Sequence, residues 1–282
     1  MTEKKITKVS GGKNAPTQTT FVPTAEAKSK ATQLRLFAVL LWVLAIAAEV
    51  GAIFFVLKNI EGLRNNETSA WIWIISLIVV DLALVIIGSM LWKKANRLDP
   101  AAKKDKVKFF LQNQLGVIIA VIAFLPLVIF IFTNKDLDGK QKGILGGVAV
   151  IALIIAGIAS ADLNPPSVEE YSEQSSWVKE LVGKNEVYWT KSGTKYHLYE
   201  DCQYLKSDRT TEIFEGGTVA EAYGHNSKIK PEMSSLCSAC EKRAAKEKGW
   251  TDEQLQQAKD KALNAVQQAS HQHEELNEET EN

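Results

Sequence analysis

His197, Cys202, Cys237 and Cys240 are the residues of this chain whose types and spacing most plainly suggest chemistry: H-x4-C, followed downstream by C-x2-C. Three sulfurs and one imidazole nitrogen form a donor set for tetrahedral Zn2+. With all four places taken by protein, no position stays open for a reacting water, so one structural ion is expected rather than a catalytic one. Two cysteines three apart at a helix start can face one ion, and the helix N-terminus favours thiolates there. The alternative is a reduced C-x2-C pair with redox chemistry or none. His225 is a weaker ligand candidate beside Gly224, while His271 and His273 fall in the polar tail and read as surface residues.

A second set is acidic. Glu49 and Asp81 lie inside long apolar segments, where a charge costs about 2.5–3.5 kcal/mol even on a lenient scale. At about 1.5 Å per helical residue, both sit about 12–15 Å below the same boundary if consecutive helices run antiparallel. No lysine or arginine shares that depth. The pair reads either as neutral carboxyls hydrogen-bonded across helices or as a proton- or cation-coupled site.

These residues need elements to hold them. Four stretches meet the requirement of about 20 apolar residues for a bilayer-spanning helix: about 36–57, 71–92, 109–133 and 143–162. They define a four-helix transmembrane domain over 34–162, with Pro126 expected to kink the third helix. A polar arm, 1–33, is expected to be disordered and to precede it. No secretory signal is visible, because the first apolar run is too long and lacks a cleavage site. Trp71, Trp73 and Trp92 flank the second segment as an interfacial belt would. Seven basic residues crowd the 93–108 loop, and Lys28, Lys30 and Arg35 precede the first helix. The positive-inside rule therefore puts the N terminus, that loop and, after four spans, the C terminus in the cytoplasm. Reducing conditions there suit free thiols, and three cysteines cannot all pair within one chain.

Gly143 and Gly147, with Ala152, Ala156 and Ser160, make a small-residue stripe on the fourth helix. Such a stripe serves packing within the bundle, or an oligomer contact through the Gly143/Gly147 face. Beyond it, 163–185 reads as a linker with a short helix near Trp177. A small α/β metal module follows over 186–248. Strand character at 186–190, a turn at 191–194 and a return strand at 195–199 suggest a hairpin carrying His197. A short strand ends at Gly216 and Gly217, a short helix over 219–223 is closed by Gly224, and a helix starts at the C-x2-C. The remaining 249–282 suggest a helix opened by a Thr251–Gln254 capping box, with a thin apolar face, fraying into an acidic tail. The fold class is thus an all-α four-helix transmembrane bundle plus a small α/β zinc domain and a C-terminal helix.

Composition excludes as much as it suggests. Net charge is zero and the isoelectric point is near neutral, so no global field attracts nucleic acid and none is expected as partner. No nucleotide cradle, G-x-S-x-G or H-E-x-x-H pattern occurs. No catalytic constellation is visible, and the chain does not read as an enzyme.

Val187–Gly193, Tyr196-His197, Cys202, Leu205, Ala220–Ala222, Gly224 and Cys237–Cys240 together resemble the Ada-like metal-binding module, over about 186–243. The resemblance implies a small α/β fold around one zinc held by His197, Cys202, Cys237 and Cys240. His197 stands where the Ada repair domain has its methyl-accepting cysteine, so methyl-phosphotriester repair is not implied. Residues 226–235 look like an insertion relative to that module. The whole resembles bacterial four-span membrane proteins that carry it. The expected role is a binding, scaffold or regulatory protein of the bacterial inner membrane, with the lipid bilayer and a cytoplasmic protein as partners. The alternative is a small proton- or cation-coupled transporter using Glu49 and Asp81.

Overall fold

The structure, a computed structural model, describes residues 5–9, 21–65, 67–206 and 210–281, with side chains up to residue 268. The chain divides into two compact units. One gathers Ser29–Asn96 and Val107–Leu163; the other holds the described residues up to Lys28, Arg97–Lys106 and everything from Asn164 onward.

The first unit is built on four helices long and apolar enough to cross a membrane: α1 (Ala25–Lys58), α3 (Thr68–Leu98), α4 (Lys106–Thr133) and α5 (Gly139–Ser160), with the short α2 (Ile60–Arg64) after the first. Their buried residues recur every three or four positions: Trp42, Ala45, Glu49, Ala52 and Val56 on α1, and Ile74, Ile78, Asp81, Val85 and Ser89 on α3. That spacing marks the inward seam of a bundle, and both acids fall on it. Small residues set the closest approaches. A Cβ on Gly88 would lie 2.6 Å from Trp42 Nε1, and one on Gly146 would lie 2.5 Å from the Phe132 ring. Polar bonds join the helix ends: Ser160 Oγ donates to Ser89 Oγ at 2.8 Å, and Lys93 Nζ donates to the Ala159 carbonyl at 2.7 Å, capping the C-terminus of α5.

Each helix starts before its apolar stretch, though α5 stops at Ser160, short of the expected 162. Hydropathy marks only the lipid-compatible part, while helical hydrogen bonding continues into polar ends. α5 begins at Gly139, behind an Asp138 capping box closed by Gln141. Gly143 and Gly147 correct the expected stripe: a Cβ on either meets nothing within 4 Å, and the inward small residues are Gly146, Ala149, Ala152, Ala156 and Ser160.

The second unit carries a four-stranded sheet in the order β1-β4-β2-β3, made of β1 (Lys5–Lys8), β2 (Val187–Thr190), β3 (Tyr196–His197) and β4 (Glu212–Gly217). β2 pairs antiparallel with β3 and β4, whereas β1 runs parallel to β4. Around it lie α6 (Val168–Val182), α7 (Val219–His225), α8 (Ser238–Glu247) and α9 (Asp252–Glu281). Trp177, Trp189, Tyr171, Tyr196 and Tyr223 are its largest fully buried side chains.

Here the sequence expectations need several corrections. The short helix expected near Trp177 is longer than expected and does more than link: α6, capped by a Ser167–Glu170 box and ended by left-handed Gly183, buries Tyr171, Trp177, Val178 and Leu181 in the module core. Its polar surface had masked a narrow apolar face. The arm 1–33 supplies β1, and α1 starts at Ala25. Residues 226–235 bury Ile229, and Asn226 Nδ2 donates to the carbonyls of Thr190 and Gly193, fixing the hairpin turn. Gly224 does not close α7 but lies within it, where a Cβ would come within 2.6 Å of Leu98 Cδ2. The thin face of α9 is used: Leu255, Ala258 and Ala262 pack on the core, α9 lies against α6, and backbone helix extends through Glu281 where an acidic coil was expected.

The α3–α4 loop belongs to this unit as well. Val168 N donates to the Ala101 carbonyl at 3.2 Å, Lys103 pairs with Glu170 at 2.7 Å, and Tyr171 Oη donates to the Arg97 carbonyl at 2.9 Å.

Candidate metal centre

His197 sits on β3, where pairing with Tyr188 of β2 fixes its backbone. Cys202 follows in a tight turn whose amides close on themselves, Cys202 N to the Tyr199 carbonyl and Leu205 N to the Cys202 carbonyl. Cys237 is the N-cap of α8, and its own N–H donates to the Tyr196 carbonyl at 2.9 Å. That bond ties the start of α8 to the strand beside His197. Cys240, one turn on, faces the same point because residues three apart share a helix face.

The four ligand atoms lie within 4.8 Å of one another, and all four residues are buried. Cys240 Sγ is 3.9 Å from His197 Nδ1. Zinc–sulfur bonds of about 2.3 Å put tetrahedral edges at about 3.8 Å, so an ion in the middle requires only a small contraction. The donor set therefore fits a metal ion. The electrostatics lean the same way. A hydrogen bond from Cys240 holds the Cys237 thiol well below its usual range, against the opposing effect of burial, and His197 adds to the lowering. The Cys240 thiol, donating that bond and buried, is pushed up instead. A divalent cation would relieve this conflict by stabilising every thiolate at once.

The sequence did not single out the clamp beside the site. Arg243 of α8 reaches Asp201 at 2.6 Å and Glu247 at 2.9 Å, and its guanidinium lies 4.0 Å over the Tyr199 ring. Tyr199 Oη in turn donates to Glu247 at 2.6 Å. The loop bearing Cys202 is thereby tied to the helix bearing Cys240. Only the four-residue spacing of Arg243 and Glu247 hinted at part of this. Trp177 Nε1 donates to Glu241 at 2.9 Å, anchoring α8 to α6 from the other side. His225 stands apart, its ring against Trp189 and Phe214. His271 and His273 fall where only backbone is described.

In the membrane-type unit, Glu49 and Asp81 are 3% and 2% exposed and within electrostatic reach of each other. Glu49 Oε1 accepts the Leu127 N–H at 3.1 Å, one residue past Pro126 inside α4. Among the described residues, neither carboxyl oxygen of Asp81 has a hydrogen-bond partner.

No family model, curated protein or solved structure matches this chain. What is established is a chain with four helices apolar and long enough to span a membrane and a buried three-cysteine, one-histidine cluster able to hold a metal ion.

Proposed function

We propose that this chain is a multi-pass protein of a bacterial cytoplasmic membrane whose C-terminal Ada-like module holds one structural zinc ion and serves as a binding or scaffold element without catalysis. The observation that carries the reading is the buried Cys3His cluster, filled by protein donors on all four corners. Thiolate-rich closed sites are those of structural zinc. The α3–α4 loop, rich in lysine, is hydrogen-bonded to α6 of the module. That bonding supports placing the module on the side of the basic loop, which the positive-inside rule assigns to the cytoplasm with both termini. The partner is a cytoplasmic protein. The outward Gly143/Gly147 face is where a second copy would pack. Zinc content of the purified full chain, wild type beside His197→Ala, tests the reading. One zinc per chain, lost in the variant, is expected; wild-type protein that takes up no zinc refutes it.

A further inference from the structure

The interior of the four-helix unit contains an arrangement that the metal centre does not use. Three helices converge on it: α1 brings Glu49, α3 brings Asp81, and α4 brings a backbone N–H. Pro126 has no amide hydrogen, so one hydrogen bond of the helical ladder is missing there, while α4 stays helical from Lys106 to Thr133. The next amide, Leu127 N–H, donates to Glu49 Oε1 at 3.1 Å. Glu49 is therefore held as an acceptor, the role that suits an ionised carboxylate. Asp81 is 2% exposed, and among the described residues neither of its oxygens receives a donor. A bare second carboxylate in an apolar interior would carry the full desolvation cost beside a like charge.

Among the described residues, no salt bridge reaches Glu49 or Asp81. Between Arg35 and Lys58 on α1, Glu49 is the only titratable residue, and between Thr68 and Lys93 on α3, Asp81 is the only one. α4 has none from Phe109 to Thr133, and α5 has none from Gly143 to Ser160. The lysines and arginines of these helices lie outside those stretches.

We propose that Glu49 and Asp81 form a proton-binding site inside the bundle, with Asp81 carrying the exchangeable proton and Glu49 held as acceptor by the Leu127 amide that follows Pro126. The step is a proton transfer: an O–H bond of a hydronium ion breaks, the proton bonds to one Asp81 carboxylate oxygen and a water molecule leaves, so the pair carries one negative charge instead of two.

Infrared difference spectra of the full chain in lipid nanodiscs test this. The wild type is expected to show the carbonyl stretch of a neutral carboxylic acid at neutral pH. The band should shift when aspartate is labelled with 13C and disappear in Asp81→Asn. It should persist in Glu49→Gln, whose amide oxygen still accepts the Leu127 N–H. Asp162→Asn separates the other buried described aspartate. The labelled wild type keeps the test decisive even if a variant fails to fold. Absence of the band, a band that labelled aspartate does not move, a band lost in Glu49→Gln or Asp162→Asn rather than Asp81→Asn, or a band abolished by sodium at constant pH would each overturn the proposal. The last result would make the pair a monovalent cation site.

Discussion

Cys240→Ser is the sharpest perturbation of the metal centre. The side chain is 2% exposed and supplies one of four donors drawn from three separate pieces of chain: β3, the turn after it, and α8. A hydroxyl is a poor substitute for a thiolate toward zinc. Structural zinc in small domains contributes about 10–16 kcal/mol of binding free energy at neutral pH, against a total stability of about 5–15 kcal/mol for a typical domain. Even if free metal exceeds the dissociation constant only a thousandfold, losing it removes about 4 kcal/mol. At about 2–8 °C per kcal/mol, the midpoint falls by about 8–30 °C. Metal analysis of the full chain in detergent, with tryptophan fluorescence and limited proteolysis through melting, reads this directly, since Trp177 and Trp189 are fully buried in the module. Protease cuts should gather between 186 and 248 while the four long helices stay inserted. A variant that loses its zinc yet melts with the wild type would refute the reasoning, because the core would then hold the ligands without the ion.

Other perturbations probe the frame around the site. Trp177→Ala removes a fully buried indole and its bond to Glu241, at a cost of about 3–5 kcal/mol; zinc retention during thermal ramps should fall with it. Gly88→Ala puts a Cβ 2.6 Å from Trp42 Nε1. α1 and α3 must then part, at about 1–3 kcal/mol, seen as earlier heat-induced aggregation in detergent. Val266→Asp buries a charge on the packed face of α9; α9 should come loose and be cut by protease while zinc stays bound. Each ligand must shed a proton to bind, so lowering the pH should release zinc from the wild type, and restoring the pH should reload it.

The Cys3His cluster was legible because metal coordination constrains residue type and local spacing: C-x2-C at a helix start announces itself in one turn. The four long apolar helices were legible because about 20 apolar residues in a row mark such a helix regardless of what they touch. Glu49 and Asp81 stood out as acids in such runs. What these signals share is that the cause lies within a short stretch of chain.

Tertiary structure decided the rest, where the cause lies between stretches. Hydropathy could not tell that α6 buries Trp177 and Tyr171, since its surface residues are polar and only one narrow face meets the core. The same holds for α9 and for Ile229. Which glycines face inward on α5 depended on the helix rotation set by its neighbours, so Gly146 packs while Gly143 and Gly147 do not. The Arg243 clamp joins residues 42 apart in sequence, and the Leu127 amide reaches Glu49 from 78 residues away. A sequence records donors and acceptors, but their pairing follows from the packing that brings distant backbone and side chains within hydrogen-bond reach.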